Sequence, residues 1–178
     1  MQRPNSRAVL MAITVAASLL IPSRAMAAVD VFLTMTNIIG ESTIEKDAMT
    51  ILSWSWGTST GSARSAKGVL PAACVQDLNL MKQVDSASPQ LVMNGVTGTV
   101  AREAVLTMRR PGKSEYEFLI LRMTNVTVNS FQISGSSELP MESVSLRFET
   151  MTGEYYRQKP DGTPDTPVTF TVGGAGCK

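Results

Sequence analysis

The sequence predicts a mostly β protein, a sandwich or barrel of short strands with one helix. Three observations carry this. Strand-like runs, roughly eight or nine of them, recur with turn signals between them. One segment alone carries both a helix start and a helix stop. No self-similarity appears at the period of about 20 to 50 residues that marks a solenoid.

The elements follow in chain order. "VDVFLTMTN" (29–37) mixes β-branched and apolar residues and reads as a strand. "MTILSWSW" (49–56) is the next and contains both tryptophans of the chain. Strand alternation puts Leu52, Trp54 and Trp56 on one face and Ile51, Ser53 and Ser55 on the other. Gly57 to Ala73 is small and polar, a long loop. Strand character resumes in "CVQDLNLMK" (74–82), where Val75, Leu78 and Leu80 are apolar. In "DSASPQLVMNG" (85–95), Ser88 is the expected N-cap, Pro89 the first helical residue and Gly95 the residue just beyond the end.

Two strands flank the turn 110–113 within "EAVLTMRRPGKSEYEFLILRM" (103–123). "NVTVNSFQIS" (125–134) extends the pattern. "ESVSLRFETM" (142–151) alternates, with Val144, Leu146 and Phe148 on one face. Pro160-Asp161-Gly162 is a turn, because proline presets φ and glycine relaxes it. "VTFTV" (168–172) is a last short strand before the tail "GGAGCK".

The amino terminus reads differently. Arg3 and Arg7 precede the apolar run Ala8 to Ile21, Pro22 breaks it, and Ala25-Met26-Ala27 follows. This is the layout of a secretory signal peptide, and the run is short of the ~20 residues of a membrane span. Residues 1–27 are therefore expected to be removed, leaving 28–178 as one exported domain, periplasmic or secreted. Cleavage would remove Arg3, Arg7 and Arg24 and no acid, moving the formal charge from +1 to −2. The alternative is a true start at Met26, whose "MAAVDVFL" suits a cytoplasmic protein.

Composition excludes several functions. Near-balanced charge speaks against a nucleic-acid stripe or a polybasic membrane patch. Histidine is absent, removing the commonest general base and zinc ligand. Lys67, Lys82, Lys113 and Lys159 sit at loops or strand ends with no S-x-x-K motif, and no nucleophile elbow or phosphate loop appears. No enzyme, cofactor or metal site is expected. The methionines of the mature chain are spread rather than clustered, so they read as adaptable core filler. Cys74 and Cys177 are the only cysteines, and in an oxidising compartment they can pair; two separate thiols is the other reading.

Several quoted stretches occur together and in order: "VDVFLTM…GES", "SWSWG", "VQDLNLMKQVDSASPQLVM", "EYEFLILRMTNVTVNS" and "YRQKPDG". In this combination the chain resembles the Hcp family, the tube proteins of bacterial type VI secretion, over about Val29 to Phe170. The resemblance implies a compact β-barrel of two antiparallel sheets with one short α-helix. It implies a homohexameric ring, in rings that stack into a tube, that holds small effector proteins and meets other type VI components, with no catalysis and no cofactor. By resemblance Leu52, Trp54 and Trp56 fill the barrel, while Ser55, with Ser53 and Ser136, lines the channel and touches cargo. The 57–73 loop resembles one that reaches a neighbouring ring; a plain surface loop is the other reading. Three features depart from the family: the signal peptide, the lack of a tryptophan after the last strand, and the cysteine pair. The competing function is an exported β-sandwich binding module that presents Trp54 and Trp56 as a ligand platform.

Overall fold

The strand β8 (Tyr116–Ser134) is 19 residues long, and most of the sheet is arranged along its two edges. The sequence around it suggested two shorter strands. They are continuous because the chain bends without breaking: Asn125 takes a left-handed φ of 49°, and its amide donates to the Glu149 carboxylate. Asparagine tolerates that conformation better than most residues. The computed structural model describes residues 29–60, 73–110 and 116–174. The expected signal peptide, most of the 57–73 loop, most of the 110–113 turn and Cys177 lie outside these.

Along one edge of β8 runs β7 (Ala101–Arg110), followed outward by β1 (Asp30–Met35) and β2 (Met49–Thr50). The other edge carries two consecutive strands. β10 (Thr150–Tyr155) pairs with residues 119–124 and itself holds β11 (Val168–Gly173). β9 (Met141–Arg147) pairs with residues 127–134 and leads on to β6 (Leu78–Gln83) and β3 (Ser53–Ser55). All these pairings are antiparallel. β4 (Thr58–Thr60) and β5 (Ala73–Val75) form a separate two-stranded ribbon at the base of the expected loop.

The mostly β expectation with a single short helix therefore holds among the described residues, but the closed barrel does not. The nine-stranded sheet is open: its main path runs from β2 to β3, with β10 and β11 as a side branch. β2 and β3 both belong to one stretch of chain, 49–55. Within it the Ile51 N–H donates to the Val31 carbonyl (2.9 Å) and the Leu52 N–H to the Met81 carbonyl (2.8 Å). The chain thus steps from one sheet edge to the other, and no strand there is long enough to pair with both.

The bent sheet wraps one core. Leu33, Leu106, Leu121 and Met123 from the β1–β7–β8 half meet Leu78, Leu80, Val144 and Leu146 from the β6–β9 half. Met35, Met49, Met108, Met123 and Met151 are all buried, as expected of flexible side chains that fill irregular gaps.

Helix α1 (Ser88–Thr97) covers part of this core through Leu91. Its ends differ from expectation. Ala87 is the N-cap; Ser88 lies inside, and its hydroxyl accepts from the Asp85 N–H (3.0 Å). The Asp85 carboxylate accepts from the Ala87 N–H (2.9 Å), an Asx turn just ahead of the helix, whose N-cap has no side-chain capping bond. The helix runs past Gly95 and stops at Gly98, which has φ 68°. Gly95 serves packing instead: a Cβ there would lie 3.3 Å from Val128 Cγ1.

Candidate functional site

The sequence "SWS" forms β3, and its register on β6 assigns each face. Trp54 lies opposite Leu80, which is buried, while Ser53 and Ser55 lie opposite Met81 and Asn79, which are exposed. Trp54 and Trp56 are half-buried and pack against the core. Trp56 also stacks on Phe170 of β11, with ring centroids 5.9 Å apart and planes 10° from parallel. A ligand platform needs open ring faces, so the binding-module reading loses its main support.

Leu52 is a correction. It is 54% exposed and not part of the core. Strict alternation fails because the chain bends there to change partner, so Ile51 is the buried residue.

The serine face continues well beyond β3. One row across the sheet reads Ser55, Asn79, Ser145, Ser130; the next reads Ser53, Met81, Ser143, Gln132. None of the eight is charged, and all but Met81 are polar. The opposite face of the same strands carries Leu78, Leu80, Val144 and Leu146 into the core. These two rows of the outer surface are thus uncharged and, Met81 apart, polar. Ser145 is held by its hydroxyl donating to Asp77 (3.2 Å), which also accepts from Asn129 (2.7 Å) and Arg147 (3.4 Å). Those bonds fix the rim of the face where β6 begins.

Ser136 does not join these rows. It sits in the exposed β8–β9 connection, beyond the last paired row of Ser134 and Met141, and its hydroxyl accepts from the Glu138 N–H (3.4 Å). Ser143, Ser130 and Asn79 are face residues that were not singled out from sequence. Their signal was available: in "ESVSLR" the serines are the complement of the buried Val144 and Leu146.

Lys82 was read as a strand-end lysine, yet it is 1% exposed. Its ammonium donates to the Gln83 carbonyl (2.9 Å), to Asp85 (2.7 Å) and to Glu142, itself buried. The arrangement cross-links β6, β9 and the entry to α1. It faces the core, so its role is to hold the fold. Among the described residues no group of acidic or cysteine side chains has the spacing of a metal site. Cys74 lies in β5 and its thiol is not free.

On the surface, the 157–166 segment is fastened by carboxylates. Asp165 accepts from Arg157 (2.8 Å) and Asp161 from the Thr163 hydroxyl (2.7 Å) and N–H (2.9 Å). These hydrogen bonds hold both carboxyl groups below the usual aspartate range. Tyr156 donates to Glu154 (2.8 Å), and that bond raises its phenol pKa.

Comparison with known proteins points one way. Residues 32–155 match the family model described as "Type VI secretion system effector, Hcp". The chain is 34% identical over 151 residues to "Protein hcp1" of Pseudomonas aeruginosa, covering 80% of this chain and 93% of that protein. A crystal structure of Hcp1 from Salmonella typhimurium is similar, with TM-score 0.69 and 29% identity, covering 83% of this chain and 95% of that one. A type VI secretion system effector from Yersinia pestis shares the fold, with TM-score 0.66 and 24% identity over 81% of this chain and 99% of that one.

Proposed function

Because the chain belongs to the Hcp family of type VI secretion, whose members are structural tube proteins rather than enzymes, we propose that it assembles into a homohexameric ring with its serine face lining the channel. The observation that carries this is the uncharged row pair through Ser55 and Ser53. A wide sheet face without charge, and with Met81 as the one apolar side chain of its two rows, suits transient contact with varied cargo surfaces. Strong charge would select partners by sign, and an exposed apolar face of that size would aggregate or bind tightly. Small effector proteins are the proposed cargo, and other type VI components the proposed partners.

Ring closure is a geometric matter. A head-to-tail contact that uses two different surfaces of one subunit closes when its rotation divides a full turn. β11 supports this reading: among the described residues it pairs only with β10, and its outer edge can pair with another chain. The test is multi-angle light scattering on residues 28–178. About six times the chain mass is expected, and a strict monomer at high concentration overturns the ring.

Residues 1–27 are proposed to act as a leader cleaved after Ala27, with 28–178 as the working domain. Intact-mass analysis of the protein from its natural host decides this. A chain starting at Ala28 supports the leader. One starting at Met26 or Ala27 overturns it and places assembly in the cytoplasm, with secretion through the type VI machine.

A further inference from the structure

Exposed apolar side chains gather at one end of the serine face. Met81 is the one apolar residue of its two rows. The Leu52 N–H donates to the Met81 carbonyl at 2.8 Å, which sets Leu52 beside it at the sheet edge. Leu52 and Val84 line a groove of about 230 Å³. Met81, Leu52 and Val84 are 44%, 54% and 40% exposed. A single exposed apolar residue is ordinary; three brought together from separate segments are not. Gln83 joins the groove to the face: it lines the groove and lies two residues after Met81 on the same side of β6.

The charge of the groove is one-sided. Glu41 and Asp85 belong to its lining, and no lysine or arginine does. Asp85 is already engaged, since its carboxylate accepts from the buried Lys82 ammonium (2.7 Å) and the Ala87 N–H (2.9 Å). Glu41 is exposed, and among the described residues its carboxylate accepts from the Ser86 N–H alone (3.3 Å). The groove therefore combines apolar walls with one carboxylate open to a cation. The two serine rows have no charge to match a partner's cation, and the groove supplies it.

We propose that this groove anchors cargo, taking from the effector an aliphatic side chain followed by a lysine or arginine. The proposal rests on the reading of the serine face as the wall that cargo touches. The aliphatic side chain packs between Leu52 and Val84, and the cation meets Glu41. Met81 is unbranched and flexible, so it adapts to whatever residue lies next to that pair. One small recess per subunit holds weakly, which suits a cargo that must leave, and repetition around a ring adds avidity.

The probe is a capped hexapeptide, GSLKSG, titrated into the purified protein with its leucine, valine and methionine methyl groups isotope-labelled for magnetic resonance. Saturable shifts are expected at Leu52, Val84 and Met81, and none at the buried Met123 and Met151. The peptide GSQKSG should give no saturable shift. GSLESG should bind several-fold more weakly than GSLKSG, and Glu41→Gln should remove that difference. Leu52→Ser should abolish binding at an unchanged melting temperature; Val84→Ser should do the same and serves if Leu52→Ser disturbs the fold. Equal responses to GSLKSG and GSQKSG, or none to either, overturn the anchor. Joining of one ring to another that Leu52→Ser abolishes gives the groove to a second copy and overturns it as well. The peptide reads each subunit by itself, so saturable binding to a strict monomer keeps the recognition chemistry and overturns the ring. A Leu52→Ser ring that still retains its effector overturns cargo anchoring and leaves the ring standing.

Discussion

Lys82 and Glu142 form an ion pair inside the core, with side-chain exposures of 1% and 0%. Each charge is tolerable there only because the other is present. Lys82→Met leaves Glu142 and Asp85 facing each other without a cation, and Glu142→Leu leaves Lys82 with Asp85 alone. Each single change is expected to destabilise by about 3–5 kcal/mol. The double variant should recover much of the loss, since an apolar pair of similar volume suits the site. Urea denaturation of the three variants checks this; equal losses in the single and double variants would sink it.

Gly153 lies under the Phe170 ring. A Cβ on Gly153 would sit 2.1 Å from Phe170 Cε1, so Gly153→Ala must push the ring aside. Phe170 is 40% exposed and can swing into solvent, but it then leaves Trp56. The expected cost is the lost stacking, about 1 kcal/mol. Near-UV circular dichroism should weaken in the tryptophan region along with a lower melting temperature. An unchanged spectrum would show that the stack does not depend on the glycine.

How much of this was legible follows from what each residue answers to. The Trp54 face, the Val144–Leu146 face and the strand order in sequence are local, set by alternation, and they could be read directly. Leu52 was misread because its orientation depends on a change of strand partner, with Val31 bonded on one side and Met81 on the other. Alternation assumes one partner. A glycine after an apolar run usually stops a helix; at Gly95 Val128, distant in sequence, needs the space instead. Lys82 follows Leu78 and Leu80 on the inward face of "LNLMKQ", so its burial was written in the period. Its type alone argued for the surface. Whether the ladder closes is a property of the whole sheet and has no local signature.

Acid should loosen the 157–166 segment before the body of the protein. Asp165 and Asp161 have lowered folded-state pKa values, owing first to the side-chain hydrogen bonds with Arg157 and Thr163. A depressed carboxyl pKa contributes stability that is present above the unfolded value, about 3.9, and is lost as pH falls through the folded value. The Asp165 N–H bond to the Arg157 carbonyl and the Lys159 N–H bond to Thr163 report on it. Their amide exchange, corrected for intrinsic rates, should accelerate below about pH 4, and Asp165→Asn should show the acid-state protection at neutral pH. Protection that stays constant through that range would rule the fastening out.

Ser55 and Trp54 are neighbours with opposite assignments, and one pair of variants separates them. Trp54 packs inward against Leu80, so Trp54→Ala removes core contact and should destabilise by about 3 kcal/mol. Ser55 points outward from the same strand among uncharged neighbours, so Ser55→Gln changes no core contact. It should leave the melting temperature and ring mass unchanged while reducing the effector protein that co-purifies with the ring. Asn79→Gln and Ser143→Gln, in the same two rows, should weaken cargo retention in the same way. Glu138→Gln in the β8–β9 connection should not, since it lies beyond the paired rows. Undiminished cargo with Ser55→Gln in an intact ring would remove the serine face from the channel. A Trp54→Ala variant that keeps full stability but loses a bound ligand would instead restore the tryptophan platform.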